Sequence, residues 1–95
     1  MAEITVRIYY READGKLVDG EQDFDLSSFA GFLPSIGDSI IEPGVPQGLN
    51  RHDASNRVIW TVVGRVFNPR DLENYVAIIV EERRPNEKEH GVVTG

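Results

Sequence analysis

The chain has 95 residues, of which 40% are hydrophobic and 27% are charged, and this composition is typical of one soluble globular domain. Its 16 acidic and 10 basic side chains give a net charge of −6, which argues against direct nucleic-acid binding through neutralised phosphates. The absence of cysteine excludes disulfides and thiolate metal sites, and no apolar run approaches the roughly 20 residues that a membrane span needs.

The first predicted strand covers residues 3–11, where side chains alternate with period two. One face carries Ile4, Val6, Ile8 and Tyr10, and the other carries Thr5, Arg7, Tyr9 and Arg11. Asp14-Gly15 is a strong turn signal, and residues 16–26 can return as a second strand. The sequence therefore predicts an N-terminal hairpin.

The register of this hairpin follows from the side-chain pairs that it creates. A loop of two residues would place the carboxylates of Glu21 and Asp23, among others, opposite apolar side chains on the core face. A loop of three residues, with Gly15 in the left-handed conformation, matches the character of the paired side chains: Tyr10 with Val18, Arg7 with Glu21, and Ile4 with Phe24. Because a slip of one residue turns over a whole strand face, we predict the three-residue loop.

The predicted register leaves an acidic row on the outer face of the second strand. This acidic row consists of Asp19, Glu21, Asp23 and Asp25. We expect Arg7, and to a lesser extent Arg11, to neutralise part of it. A solvated strand face that discourages edge-to-edge pairing is the simplest explanation. Alternate residues of a strand lie ~6.5–7 Å apart, so the row could also imitate the phosphate spacing of a nucleic acid.

The middle of the chain is rich in turn-forming residues. Residues 27–33 predict one helical turn, capped by Ser27 or Ser28, whose aromatic side chains Phe29 and Phe32 cover one end of the core. Residues 39–42 predict a short third strand.

Residues 45–56 form a long polar loop before the fourth predicted strand. Loops of this length in small domains are often functional, and Arg51, His52 and Asp53 carry groups that occur in hydrolytic sites. Catalysis needs a base held by a rigid scaffold, which neighbours on one loop rarely provide. We therefore predict no catalytic residue, and His52 and His90 are too isolated in the sequence to predict metal ligands.

The densest β-formers lie in residues 57–84, which predict a long antiparallel hairpin around the polar connection 68–74. Gly64 predicts a bulge or bend in its first strand. The run from Tyr75 to Val80 is apolar at six consecutive positions, whereas a half-buried antiparallel strand would alternate. We therefore predict a second cover on the outer face of this strand: a loop, a helix or another copy of the chain.

These elements predict an all-β fold. Five strands, short turns and at most one short helical turn close most economically as a small five-stranded SH3-like barrel or as a strongly bent antiparallel sheet. The stretch Pro34-x-x-Gly37-Asp38-x-Ile40, a tight turn that leads into a strand, resembles a pattern seen in many SH3-like barrels, and it implies the fold alone. We predict one small β domain over residues 1–84 and a mobile tail over 85–95, because the tail is polar, charged and aperiodic.

The apolar run 75–80 is the main indication of function, since it points to contact with another protein. We predict a cytoplasmic, non-enzymatic protein–protein interaction or assembly module that self-associates, with no cofactor, no metal and no membrane partner. The predicted interaction residues lie in the 58–83 hairpin and the 45–56 loop: Trp60, Arg65, Phe67, Tyr75, Ala77, Ile79, Arg51 and His52. Two alternatives stay open: an acidic inhibitor that mimics nucleic acid, and a small ligand-binding or enzymatic barrel that uses the 45–56 loop.

Overall fold

The computed structural model describes residues 4–94, which contain five strands in one sheet. The strands are β1 (Thr5–Arg11), β2 (Leu17–Asp25), β3 (Ser39–Ile41), β4 (Ile59–Asn68) and β5 (Leu72–Arg83). Within the same residues, 3-10 turns cover Leu26–Phe29, Ala54–Asn56 and Glu87–Glu89, and a short helix, α1, covers His90–Thr94. The sheet order is β2-β1-β5-β4-β3, and the sheet curls into a half-barrel. The predicted five-stranded all-β class is thus confirmed over the described residues.

The two hairpins of the fold meet through β1 and β5, which run parallel to each other. Val6 pairs with Val76 and Ile8 with Ile78 at this junction, whereas the other strand pairs of the sheet are antiparallel. The sequence predicted an SH3-like barrel or a strongly bent antiparallel sheet, and it gave no indication of this parallel pair. Because no tight turn joins β1 to β5, turn geometry does not fix their relative direction.

The loop of the N-terminal hairpin is the predicted three-residue loop. Gly15 lies in the left-handed region with a φ of 88°, and the Glu12 N–H donates to the Lys16 carbonyl at 2.9 Å. Tyr10 pairs with Val18, as the sequence predicted.

A bulge in β2 shifts the second half of this hairpin by two residues. The sequence predicted that Arg7 pairs with Glu21 and Ile4 with Phe24, and both pairs are wrong, since Arg7 lies opposite Asp23 and Ile4 is not the partner of Phe24. A shift of two residues preserves the alternation of a strand. The acidic row therefore still lies on the outer face, as predicted.

The bulge depends on a glycine at position 20. A Cβ atom there would lie 2.9 Å from the Ile8 carbonyl oxygen and 2.9 Å from the Tyr10 ring, so glycine alone allows this close approach. The next residue, Glu21, has a φ of 57°, and its N–H donates to an Asp19 carboxylate oxygen at 2.8 Å. This local bond gives the backbone an alternative to the ladder, which the period-two pattern does not reveal.

The main core lies on the concave face of the half-barrel. Its fully buried side chains come from β1, β4 and β5: Val6, Ile8, Trp60, Val62, Val76, Ile78 and Val80. The Trp60 ring lies edge-on to Tyr10, with centroids 5.9 Å apart, and to Phe24 at 6.5 Å. These aromatic contacts connect β1 and β2 to β4 across the curled sheet.

The predicted helical turn after β2 is the 3-10 turn Leu26–Phe29. Its N-cap is Asp25, which makes no side-chain capping bond, so the predicted serine cap is wrong. Phe29 packs against the core, as predicted. Phe32 is 76% exposed, so the prediction that it covers the core is wrong.

A second, smaller apolar cluster covers part of the outer face of the sheet. It joins Ile59 of β4 to Ala54 and to Val93 of α1, and all three are buried. Arg83 donates two hydrogen bonds to the Glu89 carboxylate at 2.6 and 2.7 Å. The segment predicted as a mobile tail therefore contains helical turns that pack on the sheet, and its mobility stays a prediction.

Candidate interaction surface

The outer face of β5 carries Tyr75, Ala77 and Ile79, which alternate with the core residues of the same strand. Tyr75 and Ile79 are half-buried, and Ala77 is buried by its neighbours on this face. All three were predicted as interaction residues. Ala77 pairs with Arg7 on β1 and with Val66 on β4. The six-residue apolar run thus has one half in the core and one half on the outer face.

An open groove follows this outer stripe. It has a volume of about 310 Å³ and is lined by Tyr9, Leu17, Val66, Asn68, Leu72, Tyr75, Ala77 and Ile79. We call it the outer groove. Leu17, Val66 and Leu72 are 48%, 52% and 49% exposed. The rim of the outer groove is therefore apolar surface in contact with water.

Two small residues leave space above the sheet on this part of the outer face. Ala77 carries only a methyl group, and Gly64, which pairs with Ile79, carries no side chain. A Cβ atom at Gly64 would lie 3.4 Å from Ile79 Cδ1. The register shift between Val62 and Gly64 also confirms the predicted bulge at Gly64.

Two tyrosines separate the outer groove from a neighbouring pocket, since Tyr9 and Tyr75 line both. Burial and the nearby Tyr9 hydroxyl raise the pKa of Tyr75 to about 12. Like any tyrosine at pH 7, Tyr75 is neutral and can both donate and accept a hydrogen bond.

The neighbouring pocket is polar and has a volume of about 550 Å³. Besides the two tyrosines and Leu72, it is lined by Thr5, Arg7, Asp19, Asp23, Glu73 and Asn74. We call it the acidic pocket. Arg7 forms ion pairs with Asp19 at 2.8 Å and Asp23 at 3.1 Å, and its hydrogen bond holds the pKa of Asp19 below the usual range. Among the described residues that line the pocket, three carboxylates face a single arginine.

The predicted neutralisation of the acidic row by Arg7 is confirmed by these ion pairs. Arg11, the second predicted partner of the row, pairs instead with Glu81 of β5 at 3.1 Å. Glu21 and Asp25 are exposed. Negative charge therefore remains along the β2 side of the outer face.

The tip of the β4–β5 hairpin carries both signs of charge, because Arg70 is followed by Asp71 and Glu73. Arg70 is exposed and forms no hydrogen bond or ion pair within residues 4–94. Arg65 lies over the exposed Phe67 ring, 5.9 Å from its centroid. Arg65 and Phe67 pair with Ile78 and Val76 of β5, whose side chains point into the core. Arg65 and Phe67 therefore lie on the opposite face of the hairpin from the outer groove.

The remaining predicted interaction residues lie elsewhere. Trp60 is fully buried, so its prediction as an interaction residue is wrong, because the curled sheet encloses its ring. Arg51 and His52 are exposed on the 45–56 loop, and their contact with a partner stays a prediction. The structure thus brings Tyr75, Ala77 and Ile79 together at the outer groove, whereas Arg65 and Phe67 contact each other on the opposite face of the hairpin.

Arginine side chains fix the 45–56 loop against the sheet. The buried Arg57 donates to the carbonyls of Arg51 and Glu42, each at 3.1 Å. Arg51 donates to the Pro43 carbonyl at 3.2 Å, and Arg84 donates to the Arg57 carbonyl at 3.2 Å. The loop therefore has a defined position in the fold.

The acidic residue of this loop, Asp53, caps the 3-10 turn Ala54–Asn56. Its carboxylate accepts bonds from the Ser55 hydroxyl at 2.7 Å and the Ser55 N–H at 3.0 Å, and these bonds lower the pKa of Asp53. The His52 N–H donates to the Asn50 side chain at 2.9 Å. These contacts build a turn and give no orientation of His52 by Asp53.

Sequence reasoning missed the walls of the outer groove. Alternation already assigned Tyr9 to the outer face, but nothing in the sequence placed Tyr9 and Leu17 beside β5. That neighbourhood depends on the parallel β1–β5 pair. Leu72 and Glu73 were read as part of a polar connection, whereas β5 begins at Leu72.

The described residues offer no further indication of chemistry, and comparisons with other proteins add none. Within residues 4–94, no group of three or more His, Asp or Glu side chains is placed to hold a metal ion. Over the same range, no helix has the length and apolar character needed to cross a membrane. No protein-family model matches the chain, and no curated protein or solved structure shows significant similarity to it.

Proposed function

We propose that the protein is a non-enzymatic assembly module that self-associates through the outer groove. The observation that carries this proposal is the apolar, half-exposed rim of the groove, formed by Leu17, Val66 and Leu72. Contiguous apolar patches on soluble proteins commonly mark interaction sites. The other apolar cluster of the outer face is already covered by the chain's own Ala54 and Val93.

A second copy is the occupant that the charges favour. The acidic pocket borders the groove. Arg70 lies at the hairpin tip between β4 and β5, two residues from both Asn68 and Leu72, which line the groove. A surface that presents both signs of charge around an apolar centre can pair with itself in a two-fold dimer.

The expected association is weak. Burying a half-exposed leucine or valine contributes about 1 kcal/mol, so the three rim residues of both copies contribute about 6 kcal/mol before the costs of association. Without those costs, about 6 kcal/mol corresponds to a dissociation constant of about 40 μM, and the costs of association raise the dissociation constant further. Oligomeric state must therefore be followed as a function of concentration.

The two alternative functions have less structural support than self-association. Arg7 engages two of the four carboxylates of the acidic row, and the bulge at Gly20 interrupts their regular spacing, so phosphate mimicry has little support. A ligand-binding or catalytic use of the 45–56 loop would need His52 to be oriented, and Asp53 is engaged in capping.

Size-exclusion chromatography with light scattering, over a hundredfold range from about 10 μM to 1 mM, tests the proposal. We expect the mass to rise from monomer to dimer, and Leu72→Glu to weaken the dimer at least about tenfold by placing a charge in the groove. Ile36→Glu is the matched control, since Ile36 is 66% exposed and lies outside the groove. A monomer at every concentration, or equal effects of the two variants, would overturn self-association through the outer groove.

A further inference from the structure

We infer that the second copy seats its Arg70 against Glu73 in the acidic pocket, so that each dimer contains this ion pair twice. This inference rests on the proposed self-association. It adds the orientation of the two copies and the residue that one copy contributes to the pocket of the other.

The local charges single out these two residues. Glu73 lines the acidic pocket, is exposed, and forms no ion pair within residues 4–94. The other two carboxylates of the pocket, Asp19 and Asp23, are already held by Arg7. Glu73 is therefore the carboxylate of the pocket that is left for an incoming cation.

Arg70 is the matching cation. Of the arginines near the outer groove, Arg7 and Arg11 are engaged in ion pairs, and Arg65 lies over Phe67 on the opposite face. Arg70 is exposed and unpaired among the described residues. An arginine that pairs with a carboxylate of a second copy would have this environment in the isolated chain.

The position of Leu72 connects the apolar and the charged contacts. Leu72 lines both the outer groove and the acidic pocket, and it lies between Arg70 and Glu73 in the chain. If Leu72 enters the groove of a second copy, Arg70 and Glu73 of both copies reach the same interface. In a two-fold dimer, a contact of Arg70 with Glu73 necessarily occurs in both directions.

Two charge reversals test the pairing when the variants are mixed. Arg70→Glu and Glu73→Arg each place like charges opposite one another in their own homodimer, and each should weaken it about tenfold over two symmetric pairs. In the mixed dimer both contacts become attractive again. At equal total concentration, the weight-average mass from light scattering should therefore be higher for the equimolar mixture than for either variant alone.

A matched pair of variants controls for overall charge. Lys88→Glu and Glu87→Arg change the net charge by the same amounts, and both residues are exposed on the C-terminal 3-10 turn. We expect a smaller gain on mixing this pair. Thermal melting monitored by circular dichroism checks that all four variants are folded.

The outcomes separate the inference from the proposal beneath it. Self-association stands if the unmodified chain dimerises and Leu72→Glu disrupts the dimer. The Arg70–Glu73 pairing is nevertheless wrong if the mixture of Arg70→Glu and Glu73→Arg has only the average mass of its two components. A gain no larger than that of the control pair leads to the same conclusion. A monomeric unmodified chain would overturn both.

Discussion

Replacing Val93 by alanine tests whether the C-terminal segment is part of the folded domain. Val93 is 6% exposed and packs with Ala54 and Ile59. The substitution removes two buried methyl groups, at about 0.8 kcal/mol each, and α1 can settle into most of the resulting space. We expect the free energy of unfolding to fall by about 1.5 kcal/mol, which lowers Tm by about 8 °C in a domain of this size.

Val92→Ala is the control for this experiment. Val92 precedes Val93 in α1 and is 78% exposed, so both variants share the small gain in helix propensity that alanine brings. The difference between them isolates the buried contact.

The assay is urea unfolding followed by the fluorescence of Trp60, the single tryptophan of the chain, which is fully buried. If the free energies of unfolding of Val93→Ala and Val92→Ala lie within about 0.3 kcal/mol of each other, the packing of Val93 is refuted. They would also support the mobile tail that the sequence predicted for residues 85–95.

Two further predictions concern the β2 bulge and the C-terminal ion pair. Gly20→Ala should lower the free energy of unfolding in urea by about 2 kcal/mol, because the new Cβ would lie 2.9 Å from the Ile8 carbonyl oxygen. Gly44→Ala is the control, since nothing lies within 4 Å of a Cβ at that position, and it should lower the free energy of unfolding by under about 0.5 kcal/mol. Equal effects of the two substitutions would contradict the close approach at Gly20. The hydrogen bonds from Arg83 and from the backbone N–H of Asn86 lower the pKa of Glu89 from 4.5 to about 2. The stability that Glu89 contributes is therefore complete above pH 4.5 and is lost as the pH falls to about 2. NMR titration of the carboxyl should show this midpoint, with Arg83→Gln returning it toward 4.5; an ordinary midpoint in the unmodified chain would mean that the ion pair does not form in solution.

Local patterns predicted the strands of this chain well, because alternation and β-former density act within one strand. Residues 3–11 and 57–84 were predicted close to the observed β1, β4 and β5. The bulge in β2 was not predictable in this way. It depends on the contact of Gly20 with Ile8 and Tyr10, which exists only after the two strands have paired.

The candidate surface was predictable only in part, for a related reason. Six consecutive apolar residues cannot all face one side of a strand, which predicts that part of the run lies away from the core. The structure shows that this part is Tyr75, Ala77 and Ile79. The walls of the outer groove come from strands that are distant in the sequence. Trp60 was misassigned because a tryptophan in a core strand and one at an interface have the same sequence neighbours, and only the curl of the sheet distinguishes them.

The outer positions of β1 show that the apolar outer stripe of β5 is not a requirement of the fold. Arg7 and Arg11 occupy outer positions of β1 and find carboxylate partners there, and Glu81 occupies an outer position of β5 itself. Polar side chains are therefore compatible with this face of the sheet, as is usual for a sheet with one solvated side. Tyr75, Ala77 and Ile79 instead line a groove with an exposed apolar rim, and the chain's own α1 does not contribute to its lining. This contrast between equivalent positions is the structural reason to look for a partner at the outer groove.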